Sequence, residues 1–250
     1  YMSDSSKSPC HAYCGRIAPS PSGLLHLGHF QTFYIAYERA RRRKGRILLR
    51  IEDLDTERCK PELFPTMMKD LEWMGFACDE HLDGRAVHTQ SSDLTHYQKA
   101  LVSLYSKGFI YPSSATRRGI IKALKDEEEG QENGDSGDSE RKRKGLEGNG
   151  AGDGGEGKEI MFPARLREEC PPVESLPSRN PHEILAMSDV NWRFKVPYDT
   201  PVPVEFEDGC QGPQRFMAGE DFGDFVVWTK LGKPSYELAV VVDDAAAGVT

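Results

Sequence analysis

Long apolar runs and the commonest nucleotide-binding motifs are missing from this 250-residue sequence. No apolar run approaches the roughly 18 residues of a membrane-spanning helix, so no membrane partner is expected. Neither G-x-x-x-x-G-K-[ST] nor G-x-G-x-x-G occurs, which excludes the kinase-type phosphate loop and the dinucleotide loop. The six cysteines form no C-x-x-C pair and no secretion signal is visible. Reduced thiols in a cytoplasmic protein are therefore expected, with an organelle as the alternative location.

The charge of the chain is concentrated in one tract. The formal net charge is −8, and residues 125–159 contribute −6 of it through twelve acidic and six basic residues. The same tract holds ten of the 24 glycines and almost no large apolar residue, so it is predicted to be a disordered insertion. The rest of the chain is close to neutral and can still present a local basic patch to a nucleic acid.

Strand and helix patterns alternate before this tract. A short strand, "RIA", precedes a helix whose Phe30, Phe33, Tyr34 and Tyr37 share one face and which is expected to stop at Gly45. A buried strand at 47–51 and helices at 61–75 and 92–107 follow in that order. This alternation predicts an α/β fold with a parallel, doubly wound sheet.

After the tract the pattern becomes β-rich. The segments "WRFKVPY" and "VPVEFEDG" alternate, and "DFVVWTKLGKPSYELAVVV" predicts two strands joined by a Gly/Pro turn. Tyr236 would open the second of these strands, and Asp243 and Asp244 would close it. The predicted organisation is a tail at 1–14, the first half of an α/β domain at 15–110, a mixed α+β insert at 111–232 that contains the tract, and the start of the second half at 233–250. The chain is expected to be a fragment of a longer protein.

The loop "APSPSGLLHLGH" occupies the turn between the first strand and the first helix. Ligands of doubly wound sheets bind beyond the carboxyl ends of the strands, and anions favour helix N-termini. Gly23 and Gly28 would let the backbone approach a ligand, while His26 and His29 would direct donors to the helix start. This pattern predicts a polyphosphate site. The alternative is that His26 only caps the helix and that His29 lies on its surface.

The stretch "RIEDLD" places Glu52, Asp53 and Asp55 at the end of the next strand, beside the same loop. Three carboxylates beyond a buried strand are costly unless they meet cations, donors or a substrate ammonium group. The alternative is a solvated turn in which Asp55 or Thr56 caps a helix.

Three ordered motifs carry a family resemblance: "RIAPSPSGLLHLGH", "LLRIEDLD" and "DFVVWTKLGKPSYELAVVVDDAAAGVT". Together they resemble the catalytic domain of class I glutamyl-type aminoacyl-tRNA synthetases, and "HLGH" is similar to the "HIGH" signature of that class. The resemblance implies a Rossmann-type nucleotidyl transferase fold interrupted by an acceptor-binding insert. It also implies a monomer that uses ATP with Mg²⁺ to convert L-glutamate into glutamyl-adenylate and then transfers the glutamyl group to tRNA.

The resemblance also implies roles for individual positions, with His26 and His29 as the catalytic pair. The glutamate site would comprise Arg16, Ala18, Ser20, Glu52 and Tyr236, with Arg16 on a substrate carboxylate and Glu52 on the ammonium group. The ATP site would comprise Pro19, Gly23, His26, Gly28 and His29.

Two branches of the family compete. Leu54 and the "GVT" after "VVVDD" resemble the branch that charges the queuosine base of tRNA(Asp), whose members are expected to activate glutamate without tRNA. The alternative is an ordinary glutamate–tRNA ligase, which is expected to need tRNA for activation. A non-catalytic binding module derived from a synthetase is the third interpretation.

Two features depart from the family pattern. Many members of the queuosine branch bind zinc in the insert, but the ligand positions hold Ser113, Ala115, Phe162 and Leu166. Since alanine, phenylalanine and leucine cannot coordinate zinc, no metal is expected there. The "KMSKS" loop, whose lysine helps to hold ATP, is expected to lie beyond Thr250.

Overall fold

The computed structural model describes residues 13–80, 84–132, 161–168 and 189–250. The chain divides into two compact units: one comprises the chain up to Ala100 together with Tyr236–Thr250, and the other comprises Leu101–Ser235. Residues 1–12 of the predicted tail and 133–159 of the predicted tract lie outside the described residues.

The helices and strands follow one another in this order along the described residues: β1 (Cys14–Ile17), α1 (Leu27–Arg42), β2 (Arg46–Ile51), a 3-10 turn (Pro61–Leu63), α2 (Phe64–Trp73), β3 (His88–Thr89), a 3-10 turn (Gln90–Ser92), α3 (Thr95–Ser106), β4 (Ile110–Ser113), α4 (Arg117–Glu132), α5 (Ala164–Glu168), β5 (Asn191–Phe194), β6 (Val202–Asp208), β7 (Gly212–Ala218), β8 (Val226–Trp228) and α6 (Tyr236–Ala247).

The sheet of the first unit is parallel, with the order β1-β2-β3, which confirms the predicted α/β class. Five of the six residues of β2 are buried. Since successive side chains of a strand point to opposite faces of the sheet, β2 is buried on both faces. Ile47, Leu49 and Ile51 pack into an apolar cluster with residues of α1 and α2. Leu48 and Arg50 face the opposite side, where α6 packs. Helices therefore cover both faces of the sheet, and Arg50 is directed into the interior.

The end of α1 differs from the prediction in detail. The left-handed residue is Lys44, with φ of 52°, and Gly45 N–H donates to the Ala40 carbonyl over 2.9 Å, as expected one residue beyond a left-handed cap. Gly45 is needed for a different reason: a Cβ there would lie 2.1 Å from the Tyr13 carbonyl oxygen. The glycine thus allows the chain to pass close to Tyr13 before β2 begins.

The second unit is a mixed α+β structure, as predicted. Strands β4, β5 and β8 form an antiparallel sheet, and β6 and β7 form a separate hairpin. One prediction is wrong at its boundary: residues 125–132 of the supposed disordered tract are the last turns of α4. Arg165 of α5 pairs there with Asp126 and Glu127.

The predicted strand that Tyr236 opens and Asp243 and Asp244 close is also wrong, because these residues lie in helix α6. Leu238, Ala239 and Asp243 are buried, whereas Val241 is 65% exposed. A strand would have buried alternate residues instead. Tyr236 therefore opens a helix, and Asp243 and Asp244 lie within it.

Candidate active site

The loop after β1 is fastened to the end of β2. Glu52 N–H donates to the Pro19 carbonyl over 3.0 Å, and Lys60 N–H donates to the Pro21 carbonyl over 2.8 Å. These bonds hold the loop beside the "RIEDLD" segment, as the sequence predicts. Within it, Ser20 is exposed and Ala18 is half-buried, and a Cβ on Gly23 would meet no atom within 4 Å.

His26 and His29 form a reciprocal cap at the start of α1. His26 Nδ1 accepts from Gly28 N–H over 3.1 Å, and His29 Nδ1 accepts from His26 N–H over 3.2 Å. The two rings lie with centroids 3.9 Å apart. A Cβ on Gly28 would lie 3.0 Å from the His26 ring, so this glycine leaves room for the imidazole.

The cap determines which nitrogen of His26 can donate outward. Because Nδ1 accepts a backbone hydrogen bond, the neutral ring carries its proton on Nε2. His26 is exposed at the N-terminus of a 16-residue helix, where unpaired amides and the helix dipole favour an anion. Capping by Nδ1 and donation by Nε2 are therefore compatible, and the two interpretations of His26 do not exclude each other.

A buried arginine lies at the centre of the charged network. Arg50 is 3% exposed; its Nη2 donates to Glu52 Oε1 over 2.9 Å and its Nη1 donates to Asp244 Oδ1 over 2.5 Å. Arg16 Nε donates to the same Asp244 oxygen over 2.8 Å. Burial alone would lower the pKa of Arg50, but its bonds to Asp244 and Glu52 raise it above the ordinary value.

The structure thus connects two of the predicted glutamate-site residues, Arg16 and Glu52, through Asp244 and Arg50. Tyr236 is 64% exposed and opens the helix that carries Asp244, about 12 Å further along the axis. Asp53 and Asp55 both accept backbone hydrogen bonds within the first unit. Asp53 accepts from Ser91 N–H, and Asp55 accepts from the N–H groups of residues 57 and 58.

The neighbouring carboxylate, Asp243, is the centre of a second cluster. Its Oδ2 accepts from Gln90 Nε2 over 2.8 Å and from the Tyr97 hydroxyl over 2.9 Å. Its Oδ1 lies 3.0 Å from His96 Nε2 and 3.5 Å from His88 Nε2. Burial alone would raise the pKa of Asp243, but hydrogen bonds from these four side chains hold it well below the usual range. The histidines and Asp243 line a cavity of about 300 Å³.

Sequence reasoning missed Arg50, His88, Gln90, His96 and Tyr97 as members of the site. Arg50 had a detectable signal, because an arginine within the apolar strand "ILLRI" is rarely buried unless it is paired. The others had none, since their partner Asp243 is about 150 residues away along the chain.

Residues 14–161 match the family described as tRNA synthetases class I (E and Q), catalytic domain. The chain belongs to this family. Over 240 residues it is 35% identical to a glutamyl-Q tRNA(Asp) synthetase of Symbiobacterium thermophilum, covering 95% of the chain and 64% of that protein. It is 33% identical to a glutamate–tRNA ligase of Aquifex aeolicus, covering 94% of the chain and 41% of that protein. The chain thus spans about three-fifths of the synthetase and two-fifths of the ligase.

Solved structures support the class I synthetase fold. A glutamate tRNA ligase from Elizabethkingia meningosepticum superposes with a TM-score of 0.69 at 24% identity, over 96% of this chain and 43% of that one. Among the residues with a described structure, no helix has the length and apolar character needed to cross a membrane.

We predict that the synthetase fold depends strongly on Arg50. Arg50→Met should lower the free energy of unfolding by about 3 kcal/mol, because the half-buried Glu52 would lose the arginine that it accepts from, while Asp244 would keep only its bond to Arg16. Urea denaturation measures the change. The matched control is Arg42→Met, since Arg42 is 80% exposed in its ion pair with Glu38 and its loss should cost less than about 1 kcal/mol. Equal effects of the two substitutions would contradict a central role for Arg50.

Proposed function

We propose that this chain carries the catalytic domain of an ATP-dependent synthetase that activates L-glutamate and transfers it to tRNA. The observation that carries the proposal is the His26–His29 cap at the start of α1. The loop before this cap is bonded through Pro19 to the N–H of Glu52, which belongs to the Arg16–Asp244–Arg50–Glu52 network. This arrangement offers phosphate-binding groups next to charged groups that suit an amino acid. Family membership supports the assignment of the first group to ATP and of the second to glutamate.

The ATP phosphates would bind at the start of α1. We assign the outward donor, Nε2–H of His26, and the helix N-terminus to the phosphate oxygens, with Pro19, Gly23, Gly28 and His29 shaping the loop. Mg²⁺, bound together with ATP, would neutralise phosphate charge. We assign it no protein ligand, because Asp53 and Asp55 accept hydrogen bonds within the chain and Glu52 is assigned to glutamate below.

Glutamate would bind beside the Arg50 network. Asp244 holds Arg16 through Nε, which keeps the edge formed by the two Nη groups for a bidentate contact with a substrate carboxylate. Glu52 accepts from Arg50 through Oε1, and we assign its Oε2 to the substrate ammonium group. Ala18, Ser20 and Tyr236 would complete the pocket, as in the family resemblance.

The reaction would proceed in two displacements. An oxygen of the glutamate α-carboxylate attacks the α-phosphorus of ATP, the new O–P bond forms, and pyrophosphate leaves. An RNA hydroxyl then attacks the activated carbonyl carbon, and AMP leaves. Neither step requires a nucleophile from the protein, so the residues above act by positioning the substrates and by stabilising charge.

For the RNA acceptor, we propose the queuosine base of tRNA(Asp), which Leu54 and the "GVT" sequence favour. The second candidate is an ordinary glutamate–tRNA ligase. This candidate has comparable support, because the chain is 35% identical to a glutamyl-Q tRNA(Asp) synthetase and 33% identical to a glutamate–tRNA ligase.

We also propose that the insert holds no zinc at Ser113, Ala115, Phe162 and Leu166. Phe162 is buried with Tyr111 and Ile120, and Ala115 and Leu166 pack against this apolar cluster. The Ser113 hydroxyl accepts from Ala115 N–H over 3.3 Å. Ser113→Ala should therefore leave the zinc content of the purified protein unchanged in elemental analysis. Loss of a bound zinc in this variant would contradict the proposal.

The role of His26 in chemistry can be separated from its role as a cap. In the full-length protein, His26→Asn should keep the cap, because asparagine is a preferred N-cap residue, but it removes the Nε2 donor. We expect glutamate-dependent pyrophosphate exchange to fall by about 10²-fold or more, with little change in stability.

His26→Ala serves as the matched variant, because it removes both functions. It should lose the same activity and, in addition, about 0.5–2 kcal/mol of stability. Full exchange activity in His26→Asn would show that His26 is only a capping residue and would defeat the assignment to ATP.

The two candidate acceptors predict different requirements for tRNA. If the chain belongs to the queuosine branch, full-length protein should exchange pyrophosphate with glutamate and ATP alone. The exchange rate is measured with and without unfractionated tRNA. Exchange that starts only when tRNA is added would favour the ordinary ligase, and no exchange in either case would favour a non-catalytic module.

A further inference from the structure

His88, His96 and Asp243 bring three metal-binding side chains together on the face of the sheet that α6 covers. His88 lies in β3, His96 in the first turn of α3 and Asp243 in α6. Their ligand atoms all lie within 4.8 Å of one another. We propose that these three residues form a binding site for a divalent transition-metal ion, with Zn²⁺ as the ion it suits best.

The distances fit tetrahedral coordination. Ligand atoms about 2.0–2.1 Å from a tetrahedral Zn²⁺ are separated from one another by about 3.3 Å. The observed separations from Asp243 Oδ1 are 3.0 Å to His96 Nε2 and 3.5 Å to His88 Nε2. Each histidine nitrogen thus lies within a few tenths of an ångström of the tetrahedral separation from Asp243 Oδ1, and the three ligand atoms all lie within 4.8 Å of one another.

The surroundings of Asp243 orient the carboxylate for this role. Gln90 and Tyr97 both donate to Oδ2, which leaves Oδ1 as the oxygen that faces the two imidazoles. Donors behind a coordinating carboxylate are a general feature of metal centres because they fix the direction of the ligand. Tyr97 is fully buried, so this support is rigid.

The donor set selects the class of metal. Two imidazole nitrogens and one carboxylate oxygen suit Zn²⁺ and its first-row neighbours, whereas Ca²⁺ and Mg²⁺ prefer oxygen ligands. All three residues line the cavity of about 300 Å³. A water molecule in that cavity can supply the fourth ligand, and the cavity gives the ion a route into the site.

Nearby charges are compatible with a dication. Arg50 Nε lies 3.8 Å from Asp243, on the side of Oδ2, and the arginine is already paired with Glu52 and Asp244. Asp93 and Arg85 line the same cavity with opposite charges. A bound ion would join β3, α3 and α6, so it would fix the helix that carries Tyr236 and Asp244.

Zinc titration of the metal-stripped protein tests the site. Calorimetry should show one more Zn²⁺ per wild-type chain than in the double variant His88→Gln/His96→Gln, and His96→Gln alone should bind this ion at least tenfold more weakly. Zn²⁺ should also raise the Tm of wild type by more than that of the double variant. His26→Gln is the control, because it removes an imidazole outside the cluster and should bind Zn²⁺ as wild type does.

Circular dichroism establishes that each variant is folded, and if the double variant fails to fold, the single variant decides, since His96 is 32% exposed. Zinc binding of equal stoichiometry and affinity in wild type and in the folded histidine variants would overturn the proposal. An equal loss of zinc in His26→Gln would also overturn it. Glutamate activation takes no part in these measurements, so they stand apart from the proposed function.

Discussion

The buried guanidinium of Arg50 is the constraint on which the first unit depends. Moving a charged group out of water costs several kcal/mol, and only closely placed counter-charges with good hydrogen bonds offset that cost. Glu52 provides one of them from the end of the same strand, and Asp244 provides the other from 194 residues further along the chain. The burial of one side chain therefore fixes α6 against β2. Because Arg16 bonds to the same oxygen of Asp244, β1 is included in the arrangement.

The histidine pair shows how one side chain can serve structure and chemistry together. A cap made by Asp would satisfy the backbone amides of α1 equally well, but an ionised carboxylate has no hydrogen to donate. In His26 the cap occupies Nδ1 and thereby fixes both the tautomer and the direction of Nε2. The structural role thus orients the ring before any ligand binds. This preorganisation makes the proposed contact with phosphate effective, since no ordering has to occur during the reaction.

The parts of the structure that depend on local sequence could be predicted, and the parts that depend on distant contacts could not. The parallel strands, the amphipathic α1 and the position of the histidine loop follow from periodicity and from turn residues. The short apolar run 238–242 has no decisive period, so the sequence alone predicts a strand there. In the structure Leu238, Ala239 and Asp243 are buried whereas Val241 is exposed. This spacing is that of one helix face, and it depends on packing against the distant strands. The clustering of His88 and His96 has no local signature at all.

The adjacent carboxylates of α6 explain why the two networks can coexist. Successive residues of a helix point about 100° apart, so Asp243 and Asp244 reach different neighbours from one turn. Asp244 bonds to the arginines of β1 and β2. Asp243 bonds to Gln90 and Tyr97 and lies beside His88 and His96. Neither carboxylate can take the place of the other, because its partners lie on a different side of the helix. The orientation of α6 about its own axis is therefore determined twice, and a rotation that preserved one network would break the other. This double constraint fixes the orientation of the whole helix, including its first turn, which Tyr236 opens.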